Sequence, residues 1–307
     1  MKLHVLHRTR FVYRTPVRDS LNEVRLQPIE TATQRLESFS LKITPHAPTM
    51  HQLDFYQNHV HRFDVLPPHT SLEVEATSVV INSRPPNPLD GPAVALDAMN
   101  RCMDRADCYD FMQPSTYITL DADVTAVATK ITLGCKDTWT AVLALLRFIH
   151  DEFHYQPAVT NVHTKMSEAL RLRQGVCQDF AHVLIGLCRS LKIPARYVSG
   201  YLYNGPADQL KGAQASHAWL EVFIPGHDWI GIDPTNHMQT SERHVRIASG
   251  RDYADVSPIR GTYRGTGDRT LHVDVLVTRL DSPAGLQSQS QTHSQTASYS
   301  SNSSAAR

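Results

Sequence analysis

The stretch Gly175-Val176-Cys177-Gln178-Asp179-Phe180-Ala181-His182 decides how this chain is read. A glycine stops the preceding element, and a cysteine opens an amphipathic helix. Phe180, Val183, Leu184, Leu187, Cys188 and Leu191 follow at the i, i+3, i+4 spacing of one buried helix face. Cys177 is therefore expected in the first helical turn, where unpaired backbone N–H groups and the macrodipole favour negative charge. A thiol placed there loses its proton more readily, and the thiolate is the nucleophile. A buried structural cysteine is the competing reading.

A nucleophile needs a base. Ser216-His217-Ala218-Trp219-Leu220-Glu221-Val222 alternates as a strand, with His217, Trp219 and Glu221 on one face and Ala218, Leu220 and Val222 on the other. On the next strand Trp229, Gly231 and Asp233 share a face. The spacer Pro225-Gly226-His227-Asp228 is short enough to make the two an antiparallel hairpin. His217 and Asp233 each lie eight residues from Pro225, so a fold there sets them on neighbouring or diagonal positions of one face. The carboxylate can then orient the imidazole and stabilise its charged form. A polar strand pair facing water is the alternative. Together Cys177, His217 and Asp233 supply a nucleophile, a base and an orienting acid, in that chain order. A zinc site built from the same three side chains is the chemical rival, but no further ligand is evident nearby.

The rest of the chain frames these residues. From Leu3 to about Ser83 short alternating segments predict strands: 4–7 and 10–14 before a turn at Thr15-Pro16, then 22–26, 36–43, 59–65 and 72–76. Pro and Asn punctuate them, as in an antiparallel β domain. His59 and His61 share a strand face there and read as a surface pair rather than metal ligands. Residues 85–113 begin proline-rich and read as a linker. Cys102 and Cys108 flank its end without the second pair that a metal clip needs. Helices are expected after Pro114. One spans Asp121 to Thr132. A second, capped by Asp137, carries Trp139, Val142, Leu143, Leu146, Ile149 and Phe153 on its buried face. A short third, from Glu168 to Arg173, is capped by Ser167. His150 and His154 stand one turn apart, off the pattern of a metalloprotease helix. Strands return at 195–202, 216–224, 229–233 and 270–280. Residues 282–307, almost all Ser, Gln, Thr and Ala, are too polar to offset their ordering entropy and are expected to be disordered.

Composition narrows the function classes. The 307 residues carry 30 basic and 30 acidic side chains, which gives no sign of a nucleic-acid or membrane partner. Five cysteines without a framework spacing suit a reducing compartment. The first residues lack the apolar run of a signal peptide, and no segment has the length of a transmembrane helix. A cytoplasmic protein is the expectation.

Several ordered motifs carry a resemblance: Gly175 to His182, Ile193-Pro194-Ala195-Arg196-Tyr197-Val198-Ser199-Gly200-Tyr201, Ala215-Ser216-His217-Ala218-Trp219, and Asp233-Pro234-Thr235-Asn236. They resemble the transglutaminase-like superfamily, and within it the bacterial transglutaminase-like cysteine peptidases. Tyr13, Pro16-Val17, Asn22 and Asn58 to Phe63 resemble the β domain that precedes the core in that branch, and Gly250 to Val256 fits its pattern after Asp233. The resemblance implies an α+β chain: an N-terminal antiparallel β domain (1–84), a linker (85–113), a papain-like, transglutaminase-like core (114–281) and the tail. It also implies catalytic roles for Cys177, His217 and Asp233, thiol attack on an amide carbonyl of a peptide or protein substrate, and no cofactor. Water as acceptor makes a peptidase or amidase; an amine makes a transglutaminase. The absence of a calcium-loop motif favours hydrolysis. A peptide-binding module without turnover is the third reading, and it does not require all three residues. The Cys177 N–H is a natural oxyanion donor; Tyr155, Trp139 and Gln174 remain open for the second. Asp252 and Tyr253 border the cleft or form a surface turn.

Overall fold

The computed structural model describes residues 1–85, 93–96, 106–205, 210–211, 216–281 and 288–298. Cys102, most of the proline-rich stretch, and tail residues 282–287 and 299–307 lie outside them. The chain opens with β1 (Lys2–Val24), β2 (Gln34–Thr44), β3 (Met50–Leu53), β4 (His59–Val65) and β5 (His69–Asn82). There follow α1 (Ala106–Tyr109), a 3-10 turn at Asp110–Met112, α2 (Ala122–Ile131), α3 (Thr138–Glu152), β6 (His154–Tyr155), α4 (Met166–Leu172), β7 (Gln174–Gly175) and α5 (Cys177–Ser190). Then come β8 (Ala195–Leu202), β9 (His217–Ile224), β10 (Asp228–Asp233), β11 (Met238–Gln239), β12 (His244–Gly250), α6 (Tyr253–Val256), β13 (Ile259–Arg264), β14 (Asp268–Arg279) and β15 (Ser288–Ser298).

These elements form two units. The first takes Met1–Asn82, Tyr203 to Gly205 and the described residues from Ser257 on. Its spine is β1. Leu3 to Tyr13 pair with β14 on one side, and Lys2 to Val12 pair with β5 on the other. Ser20 to Val24 then pair with β4, and Arg18 to Val24 with β13. Sequence reading broke β1 at a turn at Thr15-Pro16. Instead the strand continues, and Pro16 sits where neither β5 nor β14 pairs with it, so its missing N–H costs no ladder bond. Phe11, Tyr13, Val17 and, past a register shift, Val24 point into a core completed by Ile43, Phe63, Val65, Leu72 and Val74.

Sequence reading placed 257–281 in the catalytic core. The structure pairs β13 and β14 with β1 instead, and Val275 and Val277 are buried there. Within the tail, residues 288–298 depart from the expected disorder: β15 adds antiparallel to β14. Main-chain hydrogen bonds alone can extend a sheet edge, so a polar segment with no apolar payload can still do this. His61 is not a surface residue either. It is buried against Phe39, with the His51 ring 4.9 Å away across the β3–β4 pair. His51 Nε2 lies 2.8 Å from His59 Nδ1.

The second unit takes the described residues of Ser83–Leu202 and Gln209–Val256. At its centre is α5. The sequence predicted one buried face, but every residue from Gln178 to Arg189 is buried. α2, α3 and α4 pack on α5, as does a five-stranded sheet ordered β11-β10-β9-β8-β12. The fully buried Arg189 guanidinium donates to the carbonyls of Ala195 (2.8 and 3.0 Å), Gln113 (2.8 Å) and Arg251 (2.6 Å), tying three segments to the helix. Residues 106–113, read as linker, therefore belong to this unit. Phe111 is buried and meets Trp229 edge-on at 5.3 Å.

Asp137 caps α3 as expected, accepting from the Thr140 N–H at 2.9 Å. The buried face is rotated from the predicted one: Ala141 and Leu145 lie inside, and Leu143 is exposed. Ser167 lies inside α4 rather than capping it. Among the described residues, no helix is long and apolar enough to cross a membrane.

Candidate active site

Cys177 is the first residue of α5, reached from β7 through Val176 in extended conformation (φ −116°, ψ −176°). Valine has no side-chain acceptor for the helix start. Asp179, in the first turn, accepts the Val176 N–H at 2.8 Å and the Thr160 hydroxyl at 2.6 Å through Oδ2. Burial raises the Asp179 pKa against these two hydrogen bonds, which lower it. Gly175 makes this possible. Its φ is +156°, and a Cβ there would sit 2.5 Å from Asp179 Oδ2. The Cys177 sulfur is half-buried at the helix mouth. Cys188, about three turns further along α5, is buried with its thiol pushed up to about 12 by burial, so it is an inert packing residue.

The hairpin forms as the sequence predicts. β9 and β10 pair antiparallel, with Ile224 opposite Asp228 and Leu220 opposite Ile232. That register sets Asp233 diagonally across from His217. His217 Nε2 lies 2.8 Å from Asp233 Oδ2, and both side chains are fully buried. The pair does not face water as the alternative reading had it. Glu221, from the same strand, is also buried, on Arg196 (2.7 Å) and Arg246 (3.2 Å).

With Nε2 taken by Asp233, His217 Nδ1 has no hydrogen-bond partner among the described residues, and Cys177 is one of the groups that act on the ring. Burial depresses the His217 pKa. The charge and hydrogen bond of Asp233 outweigh that, Cys177 adds to them, and the ring is pushed up to about 10. Asp233 is held far below the usual carboxylate range: burial raises it, and His217 and His244 more than compensate. Its other oxygen accepts the backbone N–H groups of Thr235 (3.0 Å) and Asn236 (3.2 Å), and Asn236 Nδ2 donates to Oδ2 at 2.7 Å.

Of the three residues left open as oxyanion donors, the structure brings Tyr155 to the site. β6 and β7 run parallel, with Tyr155 opposite Gly175. Burial and then the charges of Cys177, Asp179 and Asp233 raise the Tyr155 hydroxyl, which therefore stays a protonated donor. Tyr197 on β8 is likewise raised, by burial and then by Cys177. Gln174 lies opposite His154 on β7. Trp139 sits at the far end of α3, about 20 Å along the helix from the turn into β6. Asp252 is not an exposed turn residue. It is buried and accepts the N–H groups of Tyr117 and Ala254, each at 2.8 Å. His150 and His154 do not pair: His154 has left the helix, and His150 stacks on His237 at 4.3 Å.

Sequence reasoning missed His244, whose Nε2 lies 3.2 Å from Asp233 Oδ2. The alternation of Val245 and Ile247 could have signalled its strand. His217, Asp233 and His244 offer ligand atoms within 4.8 Å of one another, a possible metal site. The donor set fits hydrogen bonding better. Both imidazoles already address the same carboxylate oxygen, and a cation between them would displace both bonds.

Residues 125–234 match the family described as transglutaminase-like superfamily, and residues 3–81 match the bacterial transglutaminase-like N-terminal region. An uncharacterised protein of Mycobacterium leprae is 35% identical over 283 residues, 91% of this chain and 99% of its own length. An uncharacterised protein of Mycobacterium tuberculosis is 31% identical, over 92% and 94%. The protein-glutamine gamma-glutamyltransferase of Pseudomonas aeruginosa is 33% identical over 139 residues, 40% of this chain and 20% of its own. The crystal structure of a candidate cysteine protease from Cytophaga hutchinsonii shares the fold, with TM-score 0.70, 22% identity, and coverage of 95% and 98%. Fold and site thus define a class of cysteine-dependent enzymes with an α+β core. The chain belongs to the transglutaminase-like superfamily, with the bacterial N-terminal β region.

Proposed function

We propose that this chain hydrolyses peptide or amide bonds through an acyl-enzyme on Cys177, with His217 as base and acid and Asp233 as the group that orients it. The observation that carries the reading is a fully buried imidazole held by a carboxylate on one nitrogen and unpartnered on the other, with Cys177 at a helix N-terminus among the groups that raise its pKa. A charged imidazole beside a sulfur favours the thiolate.

The thiolate attacks the carbonyl carbon. A carbon–sulfur bond forms, and the carbonyl π pair moves onto oxygen, where the Cys177 N–H and the Tyr155 hydroxyl are the donors at hand. The tetrahedral adduct collapses, the C–N bond breaks, and the leaving nitrogen takes the His217 proton. A thioester remains. Neutral His217 then removes a proton from water, whose oxygen attacks the thioester. The carbon–sulfur bond breaks, releasing the acid and restoring thiolate and imidazolium.

Transfer of the acyl group to an amine in place of water is the second reading, favoured by the partial likeness to the Pseudomonas glutamyltransferase. The test is mass spectrometry of the protein during turnover of a peptide and isopeptide panel, with and without an added primary amine. A mass increment on Cys177 and release of free acid support hydrolysis. Amide formation with the added amine supports transfer. No increment and no product from any substrate contradict both.

A further inference from the structure

His244 takes no part in the steps above, yet it is built onto the same acid. It is buried at the start of β12, edge-on to Trp219 with ring centroids 5.3 Å apart. The Ser241 backbone N–H lies 3.1 Å from its Nδ1. An amide N–H can only donate, so Nδ1 is the acceptor and Nε2 carries the hydrogen aimed at Asp233. Three donors therefore share Asp233 Oδ2: Asn236 Nδ2 at 2.7 Å, His217 Nε2 at 2.8 Å and His244 Nε2 at 3.2 Å. Among the described residues, the titratable groups that act on this cluster include Cys177 on α5 and Tyr155 on β6, with Asp179 beside them.

Each donor added to a carboxylate oxygen lowers its basicity and weakens its hold on the others. A general acid gripped too tightly by its partner is a poor proton donor. We infer that His244 is a positioning residue: it competes with His217 for Asp233 Oδ2, so that the acid orients the imidazole without locking the proton onto it. The inference rests on the reading of His217 as the base of the reaction.

The test is NMR of the full chain labelled with 13C,15N-histidine, titrated from pH 5 to pH 11, in wild type, His244→Phe and His244→Gln. Phenylalanine keeps the bulk and loses the donor. Glutamine places an N–H near the position of Nε2. The wild-type His244 is expected as the tautomer protonated on Nε2. In His244→Phe the His217 midpoint should rise by about one pH unit, because a hydrogen bond to a charged group is worth a factor of about ten or more. In His244→Gln it should return close to wild type. A merely structural role would lower stability and leave the midpoint in place. An unchanged or lowered midpoint in the Phe variant overturns the inference. So does a wild-type His244 protonated on Nδ1, a result that needs no variant to fold. A wild-type His217 that titrates like an ordinary imidazole contradicts instead the hydrolase reading itself.

Discussion

Asp233 is a buried anion that accepts five hydrogen bonds, two of them from imidazoles. Replacing it by asparagine keeps the shape and removes the charge that holds the His217 proton. We expect Asp233→Asn to lower turnover by roughly 10²- to 10⁴-fold with little loss of substrate affinity, measured as kcat and KM on any substrate found. An unaltered kcat would show that the carboxylate does not act through His217. Cys177, His217 and Asp233 were legible because each sits where a local rule applies, either a helix start or the same face of a short hairpin. His244 was not. It reaches Asp233 across a turn and an intervening strand, a relation that no residue spacing encodes. Tyr155 was named but not chosen, because its approach to the nucleophile depends on a two-residue parallel pairing too short to show a period.

At the scale of elements, the junction of β7 and α5 aims the sulfur. Asp179 folds back over Gly175 to hold the Val176 N–H and Thr160, and there is no room for a methyl group between them. Gly175→Ala should cost about 1–3 kcal/mol in denaturant unfolding of this unit, from positive-φ strain and the displaced carboxylate. It should also slow alkylation of Cys177. Stability and labelling equal to wild type would mean that the junction tolerates displacement. The central helix and the hairpin were legible from periodicity. Burial on all sides of α5 was not, because its polar residues, Gln178, Asp179, His182 and Arg189, find partners only in the folded unit. The unbroken β1 was hidden because Thr15-Pro16 reads as a turn until the pairing on each side is known.

At the scale of the whole molecule, buried neutral histidines and the buried His217–Asp233 pair shape the pH range of stability; His61, lowered to about 4 by burial and then by His51 and His59, acts with His7 and His182. His7 in the first unit is lowered to about 4 by burial, against a weaker pull from Asp274. His182 in the second is lowered to about 3 by burial and Arg189. It stacks on Tyr117 and accepts the Tyr253 N–H at 3.3 Å. Each takes up a proton on unfolding once the pH falls below the unfolded value of 6.5. Stability is therefore complete above 6.5 and falls toward pH 4 and 3, by up to about 1.4 kcal/mol per pH unit for each group.

His217 has the opposite sign. Its raised pKa contributes fully below 6.5, and that contribution is lost as pH rises to about 10. Asp233 contributes above its unfolded value of 3.8 and loses that contribution as pH falls below it. Denaturant unfolding across pH should show a maximum near pH 6.5 to 7, and a curve flat from pH 4 to pH 7 would contradict the burial of neutral rings. None of this was visible in the charge balance of the sequence. The pairing of β13 and β14 with β1 escaped it as well, since nearly the whole chain separates the partners.

The rate of Cys177 alkylation as a function of pH, in wild type and in His217→Ala, bears most directly on the central claim. The account predicts fast labelling in wild type and a rate lower by several-fold or more when the imidazole is removed. Identical rate profiles for the two proteins would show that the sulfur and the ring do not act together.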